Sequence, residues 1–456
     1  MPKKIQNLYS LIKLLCFSWL VLILSHSIRK HDVYLHDLYC FGINFIPFAF
    51  CLGLLFFSFF LKNKEKKINL EISFFSFIFS FFLLECLITL YEFKNFVYSQ
   101  NHRVELHEKL LGKPVDKRSK VEIINQFKEN NINAFPYISP YMVINKNNDF
   151  FPVNSISNST LIACNEGGEW VNIISDKYGF RNKNEKYNQK IDSVFIGDSY
   201  TWGSCVKDNQ TIQAVFDRFN NSNSLNLGNV GNGPFLALAS LKEFGISFSP
   251  KSIIYLFYDG NDFPSDLNHE KKRPNLLSYL EKDFNQNLIN RIKETDNYYK
   301  KIIEETPREE EKLTILQHFK NFFSIKNFFN LSRSRHFLNS INIYTNQDFK
   351  TLNSIFKTIK ETATTVNSKI YFVYLPSWNT ASKTNKRFYF KVKKKIINLS
   401  KEYFETIDMT PILSNSPDYN EFFYYKNSHY NEKGYKLVAK TIADKISSEN
   451  QLNNVD

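Results

Sequence analysis

The stretch "VFIGDSYTWGSCV", Val194–Val206, decides how the chain is read. An apolar run enters Gly197-Asp198-Ser199, and a Thr-Trp-Gly-Ser-Cys segment follows at once. The pattern reads as a buried strand that ends in a tight turn, with a helix beginning at the hydroxyl. A serine at the carboxyl end of a parallel strand stands where open α/β sheets build their sites. Asp198 beside it reads as the residue that fixes the turn or caps the helix.

Outward from this stretch the same rhythm recurs. "NQTIQAVFDRFN" is helix-patterned, "SLNLGNVGNGP" offers a short strand and a glycine-rich loop, and "FLALASLKEFG" is the next helix. "SIIYLFYDGND" is a second buried strand, running from Ser252 into Asp262. Residues 264–347 interrupt the alternation with charged, helix-patterned sequence. It resumes with a helix up to Thr364, the strand "KIYFVYLPS", the helix "YFKVKKKIINLSKEYF", the strand "ETIDMT" and a helix from Asn431. Strands alternating with helices predict parallel pairing and a doubly wound sheet. The α/β domain is therefore expected over residues 150–448, with an insertion at 264–347 and a helical connector at 94–149 before it.

Four loops fall at predicted strand ends and carry Ser199, Gly231, Asn261 and His429. A serine hydroxyl is a weak nucleophile until a neighbouring base takes its proton, and the histidine supplies that base. The oxyanion that forms when an acyl carbon is attacked needs fixed donors. The backbone N–H groups of Ser199 and Gly231 and the side-chain amide of Asn261 make three. Glycine suits the second position because only backbone approaches so closely. Asp262 has a structural reading as well.

Those residues carry a resemblance. "GDSYT" resembles the serine block of the SGNH (GDSL-type) hydrolases, "NLGNVG" the glycine block, "YDGNDF" the G-x-N-D block and "SHYNEKGY" the histidine block. The four occur in order between Asp176 and Ala443. "CNEGGEW", "DKYGFRN" and the "GSCV" after the serine are similar to membrane-anchored bacterial members, some of which add or remove O-acetyl groups on exopolysaccharides. The resemblance implies a three-layer α/β/α, flavodoxin-like domain and ester or acyl-group chemistry without metal or other cofactor. It implies Ser199 as nucleophile, His429 as base, and Gly231 and Asn261 as oxyanion donors. One position departs from the pattern. Where the family places an aspartate shortly before the histidine, this chain has Lys426 and Asn427. An asparagine carbonyl accepts the imidazole N–H, so Asn427 is the candidate for orienting His429, without the charge of a carboxylate. The alternative function is an inactive or weakly active protein of the same fold that binds or assembles glycan.

The first hundred residues have a different character. Aromatic residues make up 16% of the 456-residue chain, with 45 Phe, many of them before residue 100. Residues 11–28, 40–61 and 72–91 are apolar runs, each close to the roughly 20 residues that cross a bilayer. Lys3, Lys4, Lys62, Lys64, Lys66 and Lys67 flank them on the sides that the positive-inside rule assigns to the cytoplasm. Everything after about residue 93 is then expected outside, on a multi-pass anchor in the cell (inner) membrane. The first run also reads as a signal peptide, and Glu85 inside the third as a functional membrane residue or one that reaches the interface. Of the six cysteines, Cys16, Cys40, Cys51 and Cys86 lie in or at these runs. That leaves Cys164 and Cys205, and two cysteines in an oxidising compartment read as a disulfide.

The net charge of +13 is diffuse, which suits anionic lipid or acidic glycan as well as a plain lysine-rich surface. No arginine-rich run interleaved with aromatics points to nucleic acid. The histidines of the outer part show no metal-ligand spacing. Expected partners are the lipid bilayer and an acylated glycan or small ester; the sequence is silent on oligomeric state. Trp202, Trp378 and the run Phe422–Tyr425 read as core or loop anchors, or as walls of a sugar cleft.

Overall fold

The computed structural model describes residues 14, 16–21, 24, 38–144, 150–305, 315–334, 346–382 and 388–452. It divides into two compact units. One comprises residues 1–103 with 312–345, the other 104–311 with 346–456.

The second unit is built on a parallel sheet. Its strands are β4 (Ser193–Gly197), β5 (Ser224–Asn226), β6 (Ser252–Tyr258), β7 (Lys369–Leu375) and β8 (Glu405–Asp408). They lie in the order β5-β4-β6-β7-β8 and every pairing is parallel. This is the doubly wound, flavodoxin-like order, and its chain reversal falls between β4 and β6. Every residue of β4 is buried, which is why it reads as a continuous apolar run rather than an alternation. Phe195, Ile254, Leu256 and Val373 pack on one face against Ile212, Val215 and Phe216 of the helix Ile212–Asn220 and Val438, Ala439 and Ile442 of the helix Glu432–Leu452. On the opposite face Tyr255, Phe257 and Phe372 meet Phe356 of the helix Asn346–Thr364. Helices thus cover both sides of the sheet.

A smaller sheet precedes it in the chain. Its strands are β1 (Ala134–Pro136), β2 (Thr160–Cys164) and β3 (Val171–Ile174), with β2 central, parallel to β1 and antiparallel to β3. The expected helical connector at 94–149 is therefore only partly helical. Its helices Arg103–Leu111 and Lys120–Glu129 belong, apart from Arg103, to the α/β unit, and β1 lies within it. A three-residue strand with a proline at its end carries too little alternation to be seen in sequence.

The first unit holds the apolar helices Leu38–Phe60 and Lys64–Asn101. Between them Asn63 caps the second, its side chain accepting the Glu65 and Lys66 N–H groups. Among the described residues one helix, Lys64–Ser99, is long and apolar enough to cross a membrane, and Phe48–Ser58 is a shorter apolar stretch. The run at 72–91 thus lies inside a much longer helix, and the run at 11–28 lies largely outside the described residues. The insertion at 264–347 does not stay together: residues 312–345 group with the apolar unit. The physical reason is its phenylalanines. Phe319, Phe322 and Phe323 surround Phe93, and Phe328 and Phe329 meet Phe82. Glu85 is buried and accepts the backbone N–H groups of Arg333 and Ser334, both at 2.8 Å. A buried carboxylate with two such partners is satisfied where it stands.

Candidate active site

One residue, Asp198, separates the end of β4 from Ser199, which opens a single helical turn, Ser199–Trp202. Gly197 has φ +142°, and a Cβ there would collide with the Leu256 carbonyl and Thr201 Oγ1. Only glycine lets β4 press this closely on β6 before the turn. Asp198 is the N-cap, with Oδ1 accepting the Tyr200 N–H at 2.9 Å. Burial raises its carboxyl above the ordinary range, while the Tyr200 N–H, His429, Ser199 and Asn261 pull the other way. Below the turn the buried Arg181 of "DKYGFRN" donates to the carbonyls of Trp202, Gly203 and Val206 and to Asp208. Asp176 organises that stretch, accepting from the Tyr178 and Phe180 N–H groups, the Asn182 amide and the Tyr187 hydroxyl.

His429 lies on the turn before the last helix, 2.9 Å from Ser199 Oγ through Nε2. The carboxylate behind it is Glu166, in the turn between β2 and β3. Glu166 Oε1 and Oε2 stand 3.0 and 3.1 Å from His429 Nδ1, and Oε2 also accepts the His429 backbone N–H at 2.9 Å. An ionised carboxylate only accepts, so Nδ1 carries the proton and Nε2 presents its lone pair to the serine hydroxyl. Burial works to raise the Glu166 carboxyl. The hydrogen bond and charge of His429, with a smaller contribution from His107, outweigh it and hold it below the ordinary range.

Asn427 does not orient the imidazole. It sits at φ +65°, and its Oδ1 accepts the Asn379 side-chain amide at 3.2 Å. The left-handed turn before His429 requires a residue that tolerates positive φ, and asparagine is such a residue. Glu166 is the residue that sequence reading missed. It is remote from His429 in the chain, and the available signals were its place two residues after Cys164 and within the family-like stretch "CNEGGEW".

The remaining site residues take these positions. Gly231, at φ +76°, lies in the loop after β5. Tyr137, just beyond β1, holds that loop: its hydroxyl donates to Asn229 Oδ1 at 3.0 Å and accepts the Val230 N–H at 3.1 Å. Asn261 follows β6, and its Nδ2 donates to Asp266 Oδ2 at 2.6 Å. Burial, with the charge of Asp198 added, pushes the Asp266 carboxyl up to about 8. Cys164 and Cys205 form a disulfide with their Cα atoms 5.2 Å apart. Their sulfurs and Glu166 make up the one His/Cys/Asp/Glu grouping of metal-binding compactness among the described residues, and the sulfurs are bonded to each other. Trp202 is core, packed with Leu161 and Ile173 and 4.6 Å from the Tyr137 ring. Trp378 is partly exposed, with Lys426 Nζ over its ring. Compared with known proteins, the chain matches no protein-family model and no curated protein.

Proposed function

We propose that the chain is a membrane-anchored serine esterase or acyltransferase of SGNH type, acting outside the cytoplasm on O-acyl groups of a cell-surface or exported glycan. The observation that carries this reading is the line Ser199 Oγ, His429, Glu166, with contacts of 2.9 and 3.0 Å, at the carboxyl end of β4. In this reading Ser199 Oγ attacks the acyl carbonyl carbon and His429 Nε2 takes the hydroxyl proton. The imidazolium is stabilised by Glu166. Negative charge on the carbonyl oxygen is met by the N–H groups of Ser199 and Gly231 and the Asn261 amide. The C–O bond to the alcohol breaks as His429 returns the proton to the leaving oxygen. Water or a sugar hydroxyl then attacks the acyl-serine, with His429 again as base, and the acyl group leaves as acid or as a new ester.

The extracytoplasmic setting is supported by the disulfide and by the lysines flanking the apolar helices. The glycan assignment rests on the resemblance of the four sequence blocks. The test is hydrolysis of p-nitrophenyl acetate and labelling by a fluorophosphonate probe. Ser199→Ala should abolish both and leave the melting temperature within a few degrees of wild type. Unchanged hydrolysis in the variant would remove this site from the account.

A further inference from the structure

Ser199 and His429 both belong to the doubly wound scaffold, whereas Glu166 arrives from elsewhere. It stands on a turn of the small sheet, and no strand of that sheet pairs with the large one. A side chain on a loop tip is poorly held unless something ties the loop down. The Asp116 N–H ties the turn at the Gly168 carbonyl, and three further contacts converge on residues 164–167.

The first is the disulfide. The β2–β3 register shifts between Ile162 and Cys164, an irregularity of the kind that bends the end of a strand. Cys164 is then bonded to Cys205, which stands at φ +67° in the loop leaving the nucleophile's own turn. That loop is continuous with the serine, because the Gly203 and Ser204 N–H groups both donate to the Ser199 carbonyl. The second is Tyr424. Its hydroxyl donates to the Cys205 carbonyl at 2.6 Å, and its ring leaves no room for a Cβ at Gly167. The third is His107, whose Nε2 is 3.0 Å from the Glu166 carbonyl.

We propose that the Cys164–Cys205 disulfide is a positioning element of the active site, setting the Glu166 carboxylate on His429 so that the site works fully only in the oxidised protein. The inference rests on the serine-hydrolase reading given above. A hydrogen bond of 3.0 Å to Nδ1 is lost with a displacement of well under a residue's length. Misplacement by about 1 Å costs on the order of 10²-fold in rate. In the reduced form the two sulfurs carry protons, the covalent tie between the β2–β3 turn and the loop after Ser199 is gone, and Glu166 leaves Nδ1. Oxidation by exchange with a second protein disulfide restores the bond: one thiolate attacks that disulfide, the other cysteine sulfur displaces the mixed disulfide, and the partner leaves as a dithiol carrying the two electrons and two protons.

A double-mutant cycle on the full-length chain in detergent separates this role from simple stabilisation. The forms are wild type, Glu166→Gln, Cys164→Ser/Cys205→Ser, and all three substitutions together. Fluorophosphonate labelling and ester hydrolysis are read below each form's melting temperature. Glu166→Gln should lower kcat by up to about 10⁴-fold, the loss seen when a triad carboxylate is replaced by its amide. The serine pair should lower it by about 10²-fold. The triple variant should fall no more than about threefold below Glu166→Gln, since both changes break one contact. Losses that multiply, or full activity in the serine pair, would overturn the proposal. If the serine pair does not fold, reduction of folded wild type by dithiothreitol, with both thiols then alkylated, replaces it: an unchanged labelling rate overturns the clamp. A second readout needs no turnover. The His429 Nδ1 proton should resonate far downfield in the oxidised chain and lose that position on reduction. A chain that hydrolyses nothing but shows this redox-dependent proton would refute the enzyme reading and leave the clamp standing; a proton unmoved by reduction would refute the clamp.

Discussion

Two residues before His429 stands Asn427, and its place in the turn keeps its side chain off the imidazole. The chain reverses there, with Phe423 and Tyr430 bridged antiparallel, and Asn427 takes the left-handed conformation the reversal needs. Its side chain is engaged by Asn379, away from the imidazole. Asn427→Asp should therefore change kcat for ester hydrolysis by less than about threefold, because Glu166 already occupies Nδ1 and aspartate also tolerates positive φ. A rise of tenfold or more would mean that His429 lacks support from Glu166. Glu166 itself contributes in two ways, through Nδ1 and through the His429 backbone N–H, so it fixes both the tautomer and the turn.

At the scale of elements, the segment after β6 is a dense group of buried acids. Asp262 precedes a kink at Phe263, Asp266 and Glu270 follow it one helical turn apart, and Asp198 faces them from the Ser199 turn. Glu270 accepts the N–H groups of Gly233, Phe235 and Leu236, capping the helix Pro234–Glu243. Burial still drives the Glu270 carboxyl up to about 8, as it does Asp266. The direction of the resulting pH dependence follows by linkage. A carboxyl with its folded value raised keeps a proton that the unfolded chain has released, so stability is full below about pH 4 and falls as pH rises towards 8. Asp266→Asn keeps an acceptor for the Asn261 amide and removes one titrating group. Its melting temperature should drop by several degrees less than that of wild type between pH 5 and pH 9. Parallel curves for the two proteins would show that Asp266 is ionised throughout that range.

At the scale of the whole molecule, the chain runs twice into its apolar unit, once at the start and again at 312–345. The second visit is carried by phenylalanines that meet Phe82 and Phe93 and by the two N–H groups that Glu85 accepts. If the helix Lys64–Ser99 is the membrane crossing that its length and composition allow, the two ends of this one element lie on opposite sides. Reporters fused after Lys66 and after Tyr98 test that directly. Alkaline phosphatase should be active only at the second site and a cytoplasmic fluorescent reporter bright only at the first. The reverse pattern would place Cys164 and Cys205 in a reducing compartment and contradict both the glycan assignment and the clamp.

The sequence by itself determined the large sheet. Fully buried parallel strands are written as unbroken apolar runs such as "SVFIG" and "SIIYLFY", and glycine, asparagine and serine at their carboxyl ends mark the loops. The pairing of Ser199 with His429 came from the resemblance of "GDSYT" and "SHYNEKGY" to two family blocks, and the structure sets the two side chains 2.9 Å apart. The pairing of Cys164 with Cys205 followed from there being no other cysteines after residue 100. Only the tertiary structure decided which acid serves His429. That depends on a short three-stranded sheet whose strands are too brief for a periodic signal, and on a contact between Glu166 and His429 across 263 residues. It also decided where the insertion goes, because the phenylalanines in its charged helices are visible in the sequence while the partners they bury against, Phe82 and Phe93, lie far away in the chain.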